Sequence, residues 1–145
     1  MSDEEREPET IGEALALVAA RPDDAWAHQR LGLQYIRAGQ YEKSRAAYER
    51  ALAVDPADPW THLYMGNWFY HLSRWHEALR WFEAGTALLP DEPIGYTCQG
   101  DAYKKLGRYG QAEKMYRTAV RIAPNDDYAR RKLTQWHHFR SGGRT

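Results

Sequence analysis

A single cysteine, Cys98, stands among the 145 residues, so no disulfide can form within the chain and a reducing compartment is expected. Net charge is missing as well, because 20 lysines and arginines balance 20 aspartates and glutamates. A general nucleic-acid binder needs a basic surplus, and the chain as a whole has none. Long hydrophobic runs are also absent. The apolar stretch from Ala14 to Ala20 ends at Arg21-Pro22, and the acidic N-terminus lacks the basic opening of a signal peptide. No membrane partner is expected, and the cytoplasm is the expected location.

Catalytic and metal-binding signatures are wanting too. His71 and His76 are separated by a turn, His137 and His138 are adjacent and point apart on a helix, and no His-x-x-x-His or Cys-x-x-Cys pair occurs. No zinc site and no cofactor are expected. Ser141-Gly142-Gly143 is a tail rather than a phosphate loop, Cys98 has no base beside it, and no serine sits in a nucleophile elbow. The expectation is a non-enzymatic protein.

The charge that exists is polarised. Residues 1–24 hold eight acids (Asp3, Glu4, Glu5, Glu7, Glu9, Glu13, Asp23 and Asp24) against Arg6 and Arg21. At the other end Arg130, Arg131, Lys132, Arg140 and Arg144 face Asp127 alone among residues 127–145. Solvated termini explain this simply, and head-to-tail steering between copies is the alternative.

The positive signal is a repeat. A shift of 34 residues aligns Gly32, Gly66 and Gly100; Tyr35, Phe69 and Tyr103; Tyr41, Trp75 and Tyr109; Tyr48, Phe82 and Tyr116; and Pro56, Pro90 and Pro124. Small residues align as Ser44, Ala78, Ala112 and as Ala51, Gly85, Ala119. Each unit reads as two helices. Pro59 and Pro93 suit first helical positions, and Asp58 can cap the helix it precedes. The first helix stops near Gly39 or Gly107, where glycine accepts the left-handed conformation; Ser73 is a weaker stop in the same place. Glycine inside a helix costs about 1 kcal/mol relative to alanine. Its recurrence at one offset predicts a crossing too close for a side chain.

Gly-x-x-Tyr, a later Ala-x-x-x-Phe/Tyr and a terminal proline at this period resemble the tetratricopeptide repeat, over Ala25 to Asp126. The resemblance implies an all-α fold, an α-solenoid in which three repeats wind as a right-handed superhelix between N-terminal and C-terminal capping helices. The expected layout is a disordered acidic N-terminus over 1–9, a half-repeat helix over 10–24, and repeats over 25–58, 59–92 and 93–126. A capping helix over 127–140 and a disordered tail over 141–145 complete it. His28 and His62 stand where the family usually has tryptophan, and Gln99 where it has leucine. Both histidines are expected as hydrogen-bonded packing residues.

The resemblance also implies that the first helices line a concave surface. The stripe opposite the core holds Trp26, Gln29, Leu33, Ile36 and Arg37, then Trp60, Leu63, Asn67, Tyr70 and His71. Ile94, Thr97, Asp101, Lys104 and Lys105 follow, with Tyr128, Arg131, Gln135 and His138 from the cap. Aromatic and arginine-rich strips are where binding energy concentrates. The expected function is therefore a protein-interaction adaptor or scaffold that binds a peptide segment of a partner, one bearing acidic residues opposite the C-terminal cations. Burial of Trp26 and Trp60 at repeat junctions is the plainer alternative. Some relatives clamp the two terminal carboxylates of chaperone tails. Here Gln29, Leu33, Tyr64, Ile94 and Cys98 fill those places and cannot do so.

Two other readings stay open. Repeat two carries eight aromatics, and Trp68 or Trp81 could make a homo-oligomer contact, as could the oppositely charged ends. The basic C-terminal helix could touch nucleic acid, which the neutral total charge argues against.

Overall fold

The computed structural model describes residues 6–143. Eight helices occur in order: α1 (Ile11–Ala20), α2 (Ala25–Arg37), α3 (Tyr41–Val54), α4 (Pro59–His71), α5 (Trp75–Leu88), α6 (Pro93–Lys105), α7 (Tyr109–Ile122) and α8 (Asp127–Arg140). Strands are absent among the described residues. Corresponding helices begin 34 residues apart, and each pair packs as a hairpin.

The helix starts follow from side chains that satisfy unpaired backbone donors. Carboxylates of Asp24, Asp58 and Asp126 accept from the backbone N–H groups of Trp26 (3.0 Å), Trp60 (3.1 Å) and Ala129 (2.7 Å). Thr10 caps α1 through the N–H of Glu13 at 3.1 Å. Glu92 makes no such bond before α6, but Pro93 at the first position has no N–H to satisfy.

The second helices have no side-chain caps, because the preceding turn launches them. Gly39 and Gly107 take φ of 75° and 72°, and the N–H groups of Gln40 and Arg108 reach back to the carbonyls of Tyr35 and Tyr103, both at 2.9 Å. Ser73 does the same work at φ 58°, with Arg74 N–H donating to the Phe69 carbonyl at 3.0 Å. The weaker stop signal thus takes the same left-handed conformation as the two glycines, a strain only for serine.

Gly32, Gly66 and Gly100 occupy equivalent places, each under an aromatic ring of its partner helix: Tyr48, Phe82 and Tyr116. A Cβ would lie 2.5 Å from the Phe82 ring at Gly66 and 2.7 Å from the Tyr116 ring at Gly100. The close approach is mainly ring to backbone rather than helix to helix, a refinement of the expected crossing. Gly85 is tight from the other side, where a Cβ would meet Leu63 and the Pro59 carbonyl.

The ring of Phe82, with Tyr48, Met65, Trp68, Phe69 and Leu63, forms the main core. Around it α2 touches α4, α4 touches α6 and α6 touches α8, whereas α3, α5 and α7 do not meet one another. First helices therefore crowd together and second helices splay. That difference makes the first helices one inner wall.

The ends are finished differently. α8 buries Ala129 and Trp136 and leaves Arg130, Thr134 and His137 exposed, a polar outer face that ends the stack. α1 packs on α2 but leaves Leu15 46% exposed. The acidic N-terminus expected to be disordered over 1–9 is described only from residue 6. Residues 1–5 lie outside the described residues, but Pro8 is buried and its carbonyl accepts from Gln34 Nε2 at 2.8 Å. Of the expected tail, Ser141–Gly143 form a turn held by backbone bonds to His137, Phe139 and His138, and residues 144–145 lie outside the description.

Two substitutions test this packing by urea denaturation. Gly66→Ala forces a methyl into the Phe82 ring and should cost about 1–3 kcal/mol, with part recovered in the Gly66→Ala/Phe82→Leu double variant. Ser73→Gly removes the left-handed strain and should raise stability by about 0.5–1 kcal/mol. Unchanged stability in both would contradict the geometry.

Candidate functional site

The wall formed by α2, α4, α6 and α8 carries the stripe read from sequence, but not all of it reaches the surface. Trp60 is 40% exposed, and His71, Lys105, Tyr128 and Arg131 are exposed beside it. Trp26, Leu33, Asn67, Tyr70, Ile94, Asp101 and Lys104 are half-buried. Asn67 has no hydrogen-bond partner among the described residues. Gln29, Leu63 and Thr97, placed on the stripe by spacing, are buried. Gln29 faces the next first helix, whereas Leu63 packs toward Gly85 of α5. Gln29 donates to Thr61 Oγ1 at 2.7 Å and to the Asp58 carboxylate, which stitches α2 to α4. Leu63 belongs to the core, and the Thr97 hydroxyl donates to the Ile94 carbonyl at 2.8 Å.

At the repeat-one end of the wall lies Arg30. Its guanidinium sits 5.7 Å from the Trp26 ring centroid and 5.3 Å from that of Tyr64, and it donates to the Tyr64 hydroxyl. Tyr64 is stacked on Tyr48, with centroids 5.6 Å apart, so the aromatic floor is tied to the core. The free edge of the guanidinium meets Glu7 at 3.0 Å.

At the other end Asp101 accepts from the Tyr116 hydroxyl and pairs with Lys132 Nζ at 2.8 Å. Expected as a ligand contact, Asp101 is spent on joining α6 to α7 and α8. Tyr70 lies close by, and burial, followed by the negative charge of Asp101, pushes its hydroxyl up to about 12. Burial and then Asp101 push the Cys98 thiol up to about 12 as well. Both groups stay protonated at neutral pH, so Tyr70 offers a neutral hydrogen-bonding hydroxyl and Cys98 an unreactive thiol.

Trp68 is 1% exposed, and its indole N–H donates to the Tyr41 carbonyl at 2.7 Å, so it is an interior residue rather than a surface contact. Trp81 is half-buried, stacked on Phe69 and tilted against His62. Trp68, Phe69 and Trp81 thus pack on one another in and beside the core. His28 and His62 bond the carbonyls of Pro22 (2.7 Å) and Asp58 (2.8 Å). No three metal-ligating residues come together among the described residues.

The cations of α8 each meet a carboxylate or an aromatic ring of the chain. Lys132 pairs with Asp101, Arg131 lies over Tyr128, and Arg140 lies over Tyr109. No helix among the described residues is long and apolar enough to cross a membrane. The sequence reading does not single out Arg30 or Lys132 as groove residues. The signal was available, since Arg30, Tyr64, Cys98 and Lys132 share one 34-residue column, next to the column of Gln29, Leu63, Thr97 and Arg131.

Comparison with known proteins places this architecture. No curated protein sequence matches the chain. The first tetratricopeptide domain of human RPAP3 superimposes with a TM-score of 0.73 at 21% identity, covering 83% of this chain and 95% of that one. The first such repeat domain of Spaghetti (RPAP3), solved with the HSP90 peptide SRMEEVD, gives 0.71 at 20% identity, covering 81% and 94%. PilF of Pseudomonas aeruginosa gives 0.76 at 16% identity, covering 90% of this chain and 60% of that one. Family profiles match twice, as "TPR repeat" over residues 32–73 and "Tetratricopeptide repeat" over 93–126, together more than half of the sequence. With paired helices at a 34-residue spacing and rings seated on glycines, the chain belongs to the tetratricopeptide repeat family.

Proposed function

We propose that the chain is a protein-interaction module that grips a segment of a partner polypeptide on the wall of α2, α4, α6 and α8, and catalyses nothing. The observation that carries this reading is Trp60, 40% exposed on a first helix, with Trp26, Leu33, Tyr70 and Ile94 half-buried along the same wall. Large rings in water cost free energy unless something covers them, and aromatic anchors in a shallow apolar groove are where binding energy collects. Asn67 can bond the backbone of the bound segment. Lys104, Lys105 and Arg131 favour acidic side chains toward its α8 end. The RPAP3 relative that holds a peptide supports the use of this fold for a short segment.

Self-association through the ends is a second reading, favoured by the opposite charge of the terminal segments, eight acids in residues 1–24 against five cations in residues 127–145. Light scattering decides: salt-sensitive growth in mass with concentration supports it, and a monomer throughout removes it.

Trp60→Ala/Tyr70→Ala tests the groove. Affinity capture from the native cell should lose at least about tenfold of the partner retained by the unaltered chain, with the helical circular dichroism unchanged. Undiminished capture by the folded variant would rule the groove out.

A further inference from the structure

Arg30 and Glu7 form an unequal pair. The Arg30 side chain is 8% exposed, walled by Trp26 and Tyr64, whereas the Glu7 side chain is 67% exposed. A guanidinium taken out of water needs a hydrogen-bonded anion, and its Nε is buried with no partner at all. The carboxylate that meets the other edge has given up little of its own water. The cation is therefore fixed in place and the anion is exchangeable.

The segment that brings Glu7 there is held by few contacts, none of them made by Glu7 apart from its pair with Arg30. It is anchored by buried Pro8, by the Pro8 carbonyl on Gln34 and by the Glu9 N–H on Glu13 at 2.8 Å, with Arg6 paired to Glu9 beside it. We propose that Arg30 is a carboxylate-binding site at the repeat-one end of the groove, and that Glu7 occupies it in the free chain as an internal stand-in for an acidic residue of the partner. This deepens the groove reading and rests on it. The bound segment would lay an aspartate or glutamate side chain against the edge of the guanidinium, its neighbours covering Trp26, while the N-terminal segment swings away. Binding would then be weakened by the chain's own acidic residue, and mutation or modification near position 7 would tune affinity without touching the wall.

The test uses the full chain and a small probe, fluorescein-labelled acetyl-tetraglutamate amide, with the tetraglutamine peptide as neutral control. Glu7→Gln, an exposed and nearly isosteric change, should bind the acidic probe at least about fivefold more tightly than the unaltered chain, and the neutral control no better. Adding Arg30→Gln should abolish the gain. Should that double variant fail to fold, Gln34→Ala, which loosens the segment and leaves Arg30 intact, should raise affinity for the acidic probe alone. Equal affinity of Glu7→Gln and the unaltered chain, or a gain that survives loss of Arg30, would overturn the proposal. Lys104, Lys105 and Arg131 are unchanged in every variant, so the differences among variants isolate Arg30 while partner capture reads Trp60 and Tyr70, and failure of this site is distinguishable from failure of the groove.

Discussion

One contact repeats through the molecule and sets everything else: an aromatic ring of each second helix seated on a glycine of the first. Tyr48 on Gly32, Phe82 on Gly66 and Tyr116 on Gly100 seat each ring where a side chain on the glycine would collide with it. Glycine in a helix sacrifices about 1 kcal/mol of propensity at each site. Burial of a whole ring face offsets that cost, since a buried aromatic contributes roughly 1.5–3 kcal/mol. With the hairpins drawn tight, first helices meet first helices and second helices diverge. The inner wall is a consequence of that asymmetry.

On that wall the chain places large side chains it does not fully cover. Trp60 stays open to solvent, Asn67 is unspent, and two ionic arrangements close the ends, Arg30 with Glu7 and Asp101 with Lys132. The two pairs differ in what they join. Asp101 and Lys132 are both mostly buried and bind three helices together through Tyr116. Arg30 is buried and Glu7 is not, so one pair is structural and the other can exchange its anion.

The fold was legible because its rule is local and periodic. Glycines, rings and prolines at one offset define helix pairs, and turn residues such as Gly39 and Gly107 mark where each pair reverses. The groove was legible only in part. Helical spacing assigns a residue to a face, but it does not say how closely the next helix approaches. Gln29, Leu63 and Thr97 sit on the right side of their helices and are covered by a neighbouring repeat or by their own helix pair. Trp68 fails as a surface residue for the same reason, because the start of α3 comes against it. Glu7 was hidden from pattern reading altogether, since it lies outside the repeat and reaches Arg30 only through tertiary placement.

A heteronuclear NMR titration with a peptide from a captured partner tests the central claim most directly, because four tryptophans report on it from known depths. The indole N–H signals of Trp26 and Trp60 should shift in step with binding, while those of Trp68 and Trp136, each 1% exposed, should hold still. Stationary signals from Trp26 and Trp60, with shifts confined to residues of α3, α5 and α7, would contradict a peptide held on the inner wall.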